Sequence, residues 1–429
     1  MKNMVHNAYW FMALLILTVL LLPFCTFAAE IAVEPGTNTL QTAVTDAEDG
    51  DILILRNGVY IISQATTTRY NIGKSLTIKS QSKIADPVIT MLVHGNPSGT
   101  INVTGCVLQG ITIRVQLAGF GYKVIECDCS LSYGSDSILV GSNVILIGNH
   151  FQRAASRPGG YIGLSGADNI VAGNHFTDVN MSSSTPSWVV GNTFEQTTQN
   201  ASRTISIGGN GFSVVAGNRI TVNNTSVISV QPIYVSGSPE ALVAGNLIAL
   251  NVSNSCRNYG IKVYATGRVD IVNNVIYRSG QADTDTHAAI VNPGMGTIAG
   301  NIIVGHNYAV MIAAPYARVT NNICHSNQAA CGSQSGIVVT DPQFQDLVDF
   351  RLAAGSPGID AGSVDYAYSD LDRSRNDIGI YGGPWSIEQY DTQRDPNRSS
   401  PFVYPLFQPP LTAWQGQLPV RAVGVARLR

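Results

Sequence analysis

The sequence predicts an all-β chain wound as a right-handed parallel β-helix of roughly a dozen coils, capped at its N-terminal end by a helix. Three observations predict it. An Asn in one local setting recurs eight times, as Asn149, Asn174, Asn192, Asn218, Asn246, Asn274, Asn301 and Asn322, in steps of 18 to 28 residues. An aliphatic residue stands three positions before each (Leu146, Val171, Val189, Val215, Val243, Ile271, Ile298, Val319), and an apolar one two positions after (Phe151, Phe176, Phe194, Ile220, Ile248, Ile276, Ile303, Cys324). The composition is apolar (45%) and rich in turn residues (42 Gly), while its 12% of charged residues is about half the usual share of a soluble domain.

A repeat of this length fits leucine-rich repeats or a β-solenoid. Leucine-rich repeats need several Leu at fixed offsets and a helical return. Here the fixed positions hold Val, Ile and Phe in short alternating runs between turns, which is strand chemistry. Each repeat is therefore one coil of about three short strands, each strand pairing in parallel with its counterpart a coil away, about 4.8 Å along the rod. Unequal steps mean turns of unequal length. The recurrent Asn is expected at a bend that needs left-handed backbone, which Asn tolerates. Stacked side chains would satisfy one another's buried amides, and the Gly that usually precedes each Asn would relieve crowding. These eight residues are scaffold.

The elements follow in order. Residues 1–28 read as an export signal: Lys2, an apolar run from Ala8 to Leu22, and small residues at Thr26 and Ala28 for cleavage near Ala28. The alternative is an uncleaved anchor, since the apolar run just reaches spanning length. The stretch LQTAVTDAEDGDILILRNGVY (40–60) gives a short helical pattern, then Asp-Gly, an apolar strand and a turn. A helix there would cover the open end of a solenoid, whose first coil otherwise exposes core and strand edges. This stretch resembles the first coils of secreted proteins of the pectin-lyase-like, right-handed β-helix superfamily, and the resemblance extends over residues 30–385. The coils are expected over 30–340.

Beyond them, DPQF (341–344), DFRLAAGSPGIDAG (349–362) and DLDRSRNDIGIYGG (370–383) resemble the closing segment of bacterial β-helix proteins called choice-of-anchor Q. The resemblance implies a structural role for 341–384: ending the solenoid ahead of a variable sorting or anchoring tail. It departs from the pattern at Gly382-Gly383, where an acidic residue is usual. Residues 385–429 form a Pro-rich, basic tail.

The residue after each recurrent Asn should face outward. This column is polar in the early coils (His150, His175, Thr193, Arg219) and apolar in the late ones (Leu247, Val275, Ile302, Ile323). Four stacked outward apolar residues call for a cover, and the tail's Phe402, Tyr404, Leu406 and Phe407 are the expected one. Six cysteines remain after the signal. Cys324 and Cys331, around a short polar loop, are the best disulfide pair. Cys106 and Cys256 read as buried thiols, and Cys127-Asp128-Cys129 lacks the second pair a zinc site needs.

A net charge of −3 gives no basic field for nucleic acid. No cofactor is evident. Asp283 and Asp285, near His287 in a polar turn, are candidates for a catalytic role or for holding Ca²⁺, although two acids in such a turn are more often solvated. Enzymes of the resembled superfamily act on polysaccharides along an outer sheet. A hydrolase needs carboxylates at set distances, and the polygalacturonase motifs are absent. A lyase needs a cation for the uronate carboxylate, a base and an acid.

Counting twelve residues back from successive ladder Asn residues brings Ser206, Tyr234 and Lys262 onto one outward stripe, with Tyr264 beside Lys262 and Arg203 and Arg257 at the turns leading in. Lys262 and Tyr234 are the candidate base and acid. Arg203, Arg257, Tyr264 and Ser206 are candidate glycan-binding groups, and the bland alternative is an ordinary solvent-facing sheet. A second polar stripe holds His150, His175, Arg153 and Arg219. Two functions stay open: an exported cell-surface or extracellular rod that is structural or glycan-binding, with the membrane touched only by signal or tail, or a polysaccharide lyase; a phage-type spike or self-associating filament is the third alternative.

Overall fold

The computed structural model describes residues 28–390, 402–406 and 421–425, with breaks at 64–68, 83–86, 93–99, 105–106, 110, 114–115, 132–140, 154–159, 198–202, 225–228, 253–256, 280–287, 307, 313–316 and 326–335. It is the expected parallel β-solenoid. Each full coil lays down a strand on a first face (Asn169–Ala172, for example), turns, and continues on a second face (His175–Thr177) and a third (Val179–Ser183). The second face stacks fourteen strands from Gly36–Thr37 to Ile337–Val339. Connections between parallel strands of one sheet are right-handed almost without exception, because a right-twisted strand packs back onto its sheet only that way. At the N-terminal end the helix Thr39–Asp46 lies on the first coils with Leu40 and Val44 buried. An uncapped solenoid end exposes core and edges, so this helix removes both.

Alternation fills the core. Inward residues of successive coils stack on like residues: Phe151, Phe176 and Phe194 form parallel ring stacks with centroids 5.1 and 4.4 Å apart. The eight Asn side chains form a continuous ladder. Each Nδ2 from Asn149 to Asn301 donates to the Oδ1 of the next Asn at 2.9–3.0 Å. The same Oδ1 atoms accept the backbone N–H of the preceding ladder Asn, and every Nδ2 also reaches a backbone carbonyl. Cys127 stands at the next rung down, its N–H donating to Asn149 Oδ1 at 2.9 Å.

One expectation is corrected. The left-handed backbone belongs to the residue before each ladder Asn, not to the Asn itself. Gly148, Gly173, Gly191, Gly217, Gly245 and Gly300 have φ near +60°, and where Gly is absent the position is Glu126, Asn273 or Asn321, also with positive φ. The ladder Asn must present its backbone N–H to the neighbouring Oδ1, which fits extended strand geometry and displaces the bend by one residue.

The outward column is built as expected: Arg219, Leu247, Val275, Ile302 and Ile323 are paired in register. It is covered, but not by the tail's Tyr404 or Leu406. Phe350, Ile378, Ile380 and Ile387 bury it. The tail's Tyr404 and Leu406, with Trp385 and Tyr390, instead bury the outward side of the first face: Ile147, Ala172, Val190, Ala216, Ala244 and Val272. The bend residues shape several of these contacts. Glycines at 173, 191, 217 and 245 leave room for the rings and backbone of Tyr404, Tyr390 and Trp385, where a Cβ would collide. At Asn273 and Asn321 side chains replace that room and bind the 341–384 segment: Asn273 Nδ2 donates to Asp377 O at 2.7 Å, and Asn321 Nδ2 to Ala361 O at 3.0 Å. Phe407 lies outside the described residues.

The 341–384 segment turns back along the rod rather than across its end. Val339 pairs with the inward-facing Cys324, yet is 67% exposed. Cys324 is disulfide-bonded; Cys331, its expected partner, lies outside the described residues, as do Cys106 and Cys256. Cys127 and Cys129 are buried free thiols. Among the described residues no helix is long and apolar enough to cross a membrane. The signal segment, save Ala28, falls outside them.

Candidate functional site

The third face presents the first candidate. In Ile205–Ile207, Ile233–Ala244 and Ile261–Ala265 the alternation turns Ile205, Ile207, Ile233, Val235, Ile261 and Val263 inward. Ser206, Tyr234 and Lys262 therefore face out, and they stand opposite one another in register. The column runs on to Ser182 on one side and to Val291 and Met311 on the other. Tyr264, 72% exposed, faces Ser236 in the next outward column. Arg203 precedes the strand of Ser206, and its guanidinium carbon sits 3.7 Å from the centre of the Tyr234 ring. This is a cation–π contact on a half-buried ring.

Lys262 Nζ lies 4.3 Å from the centre of the Tyr259 ring. Tyr259 was missed by counting along the stripe, because it stands at the turn before the strand rather than on it. Arg257 lies in a two-residue strand, Arg257–Asn258, paired with Ser229–Val230. It thus belongs to the coil that carries Lys262, while Arg203 belongs to the coil that carries Ser206. Two cationic residues thus flank Tyr234 along the rod: Arg203, whose guanidinium is stacked on its ring, and Lys262, whose backbone lies one coil, about 4.8 Å, away and whose ammonium sits over the Tyr259 ring. Such a group can hold an anion and offer phenol and amine to it together.

The second stripe is real but divided. His150 and His175 pack with ring centres 5.1 Å apart and their planes tilted by 52°. His150 Nδ1 lies 3.3 Å from Asp128 Oδ1, its Nε2 3.4 Å from Thr177 Oγ1, and His175 Nε2 3.5 Å from Glu195 Oε2. Asp128, Thr177 and Glu195 were not among the sequence candidates. The signal was present: Cys127 takes a ladder position, so Asp128 starts the outward column. Arg153 ends the strand His150–Arg153. Arg219 is taken by the covering segment, 3.4 Å from Asp349 Oδ1. Among the described residues no three His, Cys, Asp or Glu side chains meet as a metal site would require. Asp283, Asp285 and His287, the Ca²⁺ candidates, lie outside them.

Solved structures that resemble this chain include polysaccharide lyases and a tailspike protein. A pectate lyase, Pel9A, aligns at 13% identity and a TM-score of 0.48 over 82% of this chain and 96% of its own. A family 6 polysaccharide lyase, Pedsa3628 from Pseudopedobacter saltans, aligns at 14% and 0.47 over 71% and 87%. A family 6 alginate lyase in complex with a trisaccharide aligns at 15% and 0.44 over 70% and 79%. No protein-family profile and no curated protein sequence matches the chain.

Proposed function

We propose that this chain is an exported glycan-binding solenoid, held at the cell surface or outside the cell, that engages an acidic polysaccharide along its third face. The observation that carries this reading is the Arg203–Tyr234–Lys262 cluster, with two cations spaced along the rod around a phenol. Coils about 4.8 Å apart offer one outward side chain per step, close to the rise of one sugar ring in an extended polymer. Lys262 and Arg203 meet the uronate carboxylates, Tyr264 offers an aromatic face, and Ser206 a hydroxyl. Arg257 adds charge at the turn.

The test is calorimetric titration of the purified protein with alginate, pectate and glycosaminoglycan fragments. Binding is expected to weaken with salt, because exposed charges are screened within about 8 Å at physiological ionic strength. Arg203→Ala is expected to lose about tenfold in affinity, on the order of 1.4 kcal/mol. Unchanged affinity in both Arg203→Ala and Lys262→Ala would remove this reading.

The adjacency of Tyr234 and Lys262 favours a second reading, a lyase. Lys262 would take the proton next to the carboxylate, the carbon–oxygen bond to the neighbouring sugar would break as the ring double bond forms, and Tyr234 would protonate the leaving oxygen. Arg203 would neutralise the carboxylate. Incubation with the same polymers, followed by ultraviolet absorbance of the new double bond, separates the two. A signal abolished by Lys262→Ala establishes the lyase; binding with no signal leaves the binding rod.

A further inference from the structure

Beside the charged stripe lies a recess that the stripe does not use. It is open to solvent, about 520 Å³ in volume, and lined by Tyr264, Ala265, Thr266, Pro293, Gly294 and Met295. It sits at the corner between the third and first faces, across two consecutive coils, where Arg268 bridges Met295 in parallel. Its walls are apolar and solvent-facing: Tyr264 is 72% and Met295 51% exposed. Among the described residues no charged side chain lines it. Its polar side chains are the hydroxyls of Tyr264 and Thr266, the latter donating to Gly237 O at 3.4 Å.

Its volume falls in the ordinary range for small-ligand pockets, about 300–1,000 Å³. Position sets what reaches it. Tyr264 follows Lys262 by two residues on one strand, so both face outward, about 6.6 Å apart across the rod. A polymer lying along Ser206, Tyr234 and Lys262 would meet the recess from the side, through a substituent rather than through its backbone.

We propose that the recess takes an O-acyl substituent, with the sugar ring that carries it, projecting sideways from the glycan bound on the stripe; this rests on the glycan-binding reading above. The chemistry of the lining selects it. Beyond the Tyr264 and Thr266 hydroxyls the described lining offers no polar side chain, so a carboxylate or several hydroxyls pressed into it would lose water at about 1–3 kcal/mol for each group left unpaired. An acyl methyl gains about 25 cal/mol for each Å² it removes from water there. The stripe reads charge, and the recess reads the ester.

The test compares an O-acetylated polyuronate with the same polymer after mild alkaline deacetylation, which leaves the backbone carboxylates unchanged. The acetylated polymer is expected to bind about tenfold more tightly. Tyr264→Ala, which removes a wall, and Thr266→Trp, which fills the space, should each abolish that preference, while Lys262→Ala weakens both polymers alike. Circular dichroism and melting confirm that the variants fold. Equal affinity for the two polymers overturns the recess and leaves the stripe standing. So does a preference that survives both recess variants. Failure of either polymer to bind at all overturns the stripe and the recess together.

Discussion

Replacing Asn246 by Ala tests the ladder directly. In the native chain Asn246 Nδ2 donates to Val215 O at 2.8 Å and to Asn274 Oδ1 at 2.9 Å. Its Oδ1 accepts from the backbone N–H of Asn218 at 3.1 Å and from Asn218 Nδ2 at 2.9 Å. Alanine removes all four bonds and leaves two donors of Asn218 without that acceptor. Asn218 and Asn246 are both 0% exposed, so water cannot take its place. A buried polar group left unpaired costs about 1–3 kcal/mol, giving a loss of about 2–6 kcal/mol. The control is Asn251→Ala, an exposed site with one side-chain bond, to Asn223 at 2.6 Å, where surface substitutions stay within about 0.5 kcal/mol. Thermal melting gives the comparison, and hydrogen exchange at the Asn218 amide gives the local readout, because solenoid coils are stabilised mainly by nearest neighbours. Equal melting of the two variants, with the Asn218 amide still protected, would refute the ladder as a source of stability.

Three further outcomes follow from the same geometry. Gly217→Ala should destabilise more than Gly148→Ala: both sites have φ near +65°, at a cost of about 1–2 kcal/mol for a side chain, but only at 217 does the new Cβ strike a ring, 2.1 Å from Tyr390 Cδ2. Matched melting temperatures would show that Tyr390 is not seated there. Asn273→Gly keeps the left-handed bend yet loses the bonds to Asn376, Asp377 and Gly379, so proteolysis within 341–384 should accelerate; an unchanged rate sinks the anchoring role. His306 carries a pH dependence. Burial first, and then the Arg278 charge, lower its imidazole from 6.5 to about 3. The unfolded chain therefore takes up a proton that the native chain refuses, and the stability His306 contributes above pH 6.5 is lost as the pH falls toward 3. Asp370, pushed up to about 6 chiefly by burial, has the opposite sign: its contribution is full below 3.8 and is lost as the pH rises through 6. His306→Gln should leave Asp370 in place and melt with a shallower decline between pH 6.5 and 4 than the native chain; parallel curves would refute the assignment.

The coils were legible in the sequence because a ladder forces a period. Each Asn must meet the next at hydrogen-bond distance, so the flanking apolar residues stay at fixed offsets however long the turns grow. That frame also brought Ser206, Tyr234 and Lys262 into one column, as the register has it. Contacts made from the turns carry no such period. Arg203 on Tyr234 and Tyr259 under Lys262 are set by how two turns fold over the strand, and Asp128 escaped because Cys127 holds a rung usually held by Asn.

The covers follow the same division between periodic and local information. An apolar outward column announces that something lies over it but not what. How the returning chain is held at a bend depends on one residue per coil, the left-handed one before the ladder Asn. A bare Gly there admits an aromatic ring against the backbone, as Gly217 admits Tyr390. An Asn there reaches out and holds the passing chain, as Asn273 holds Asp377 and Asn321 holds Ala361. The same Gly-Asn pair thus does two jobs at each bend. Its Asn ties coil to coil, and the residue before it shapes the contact that the returning chain makes at that bend. Among the described residues both segments lie on the first and second faces, and on the third face Tyr264 is exposed and Tyr234 and Lys262 are half-buried.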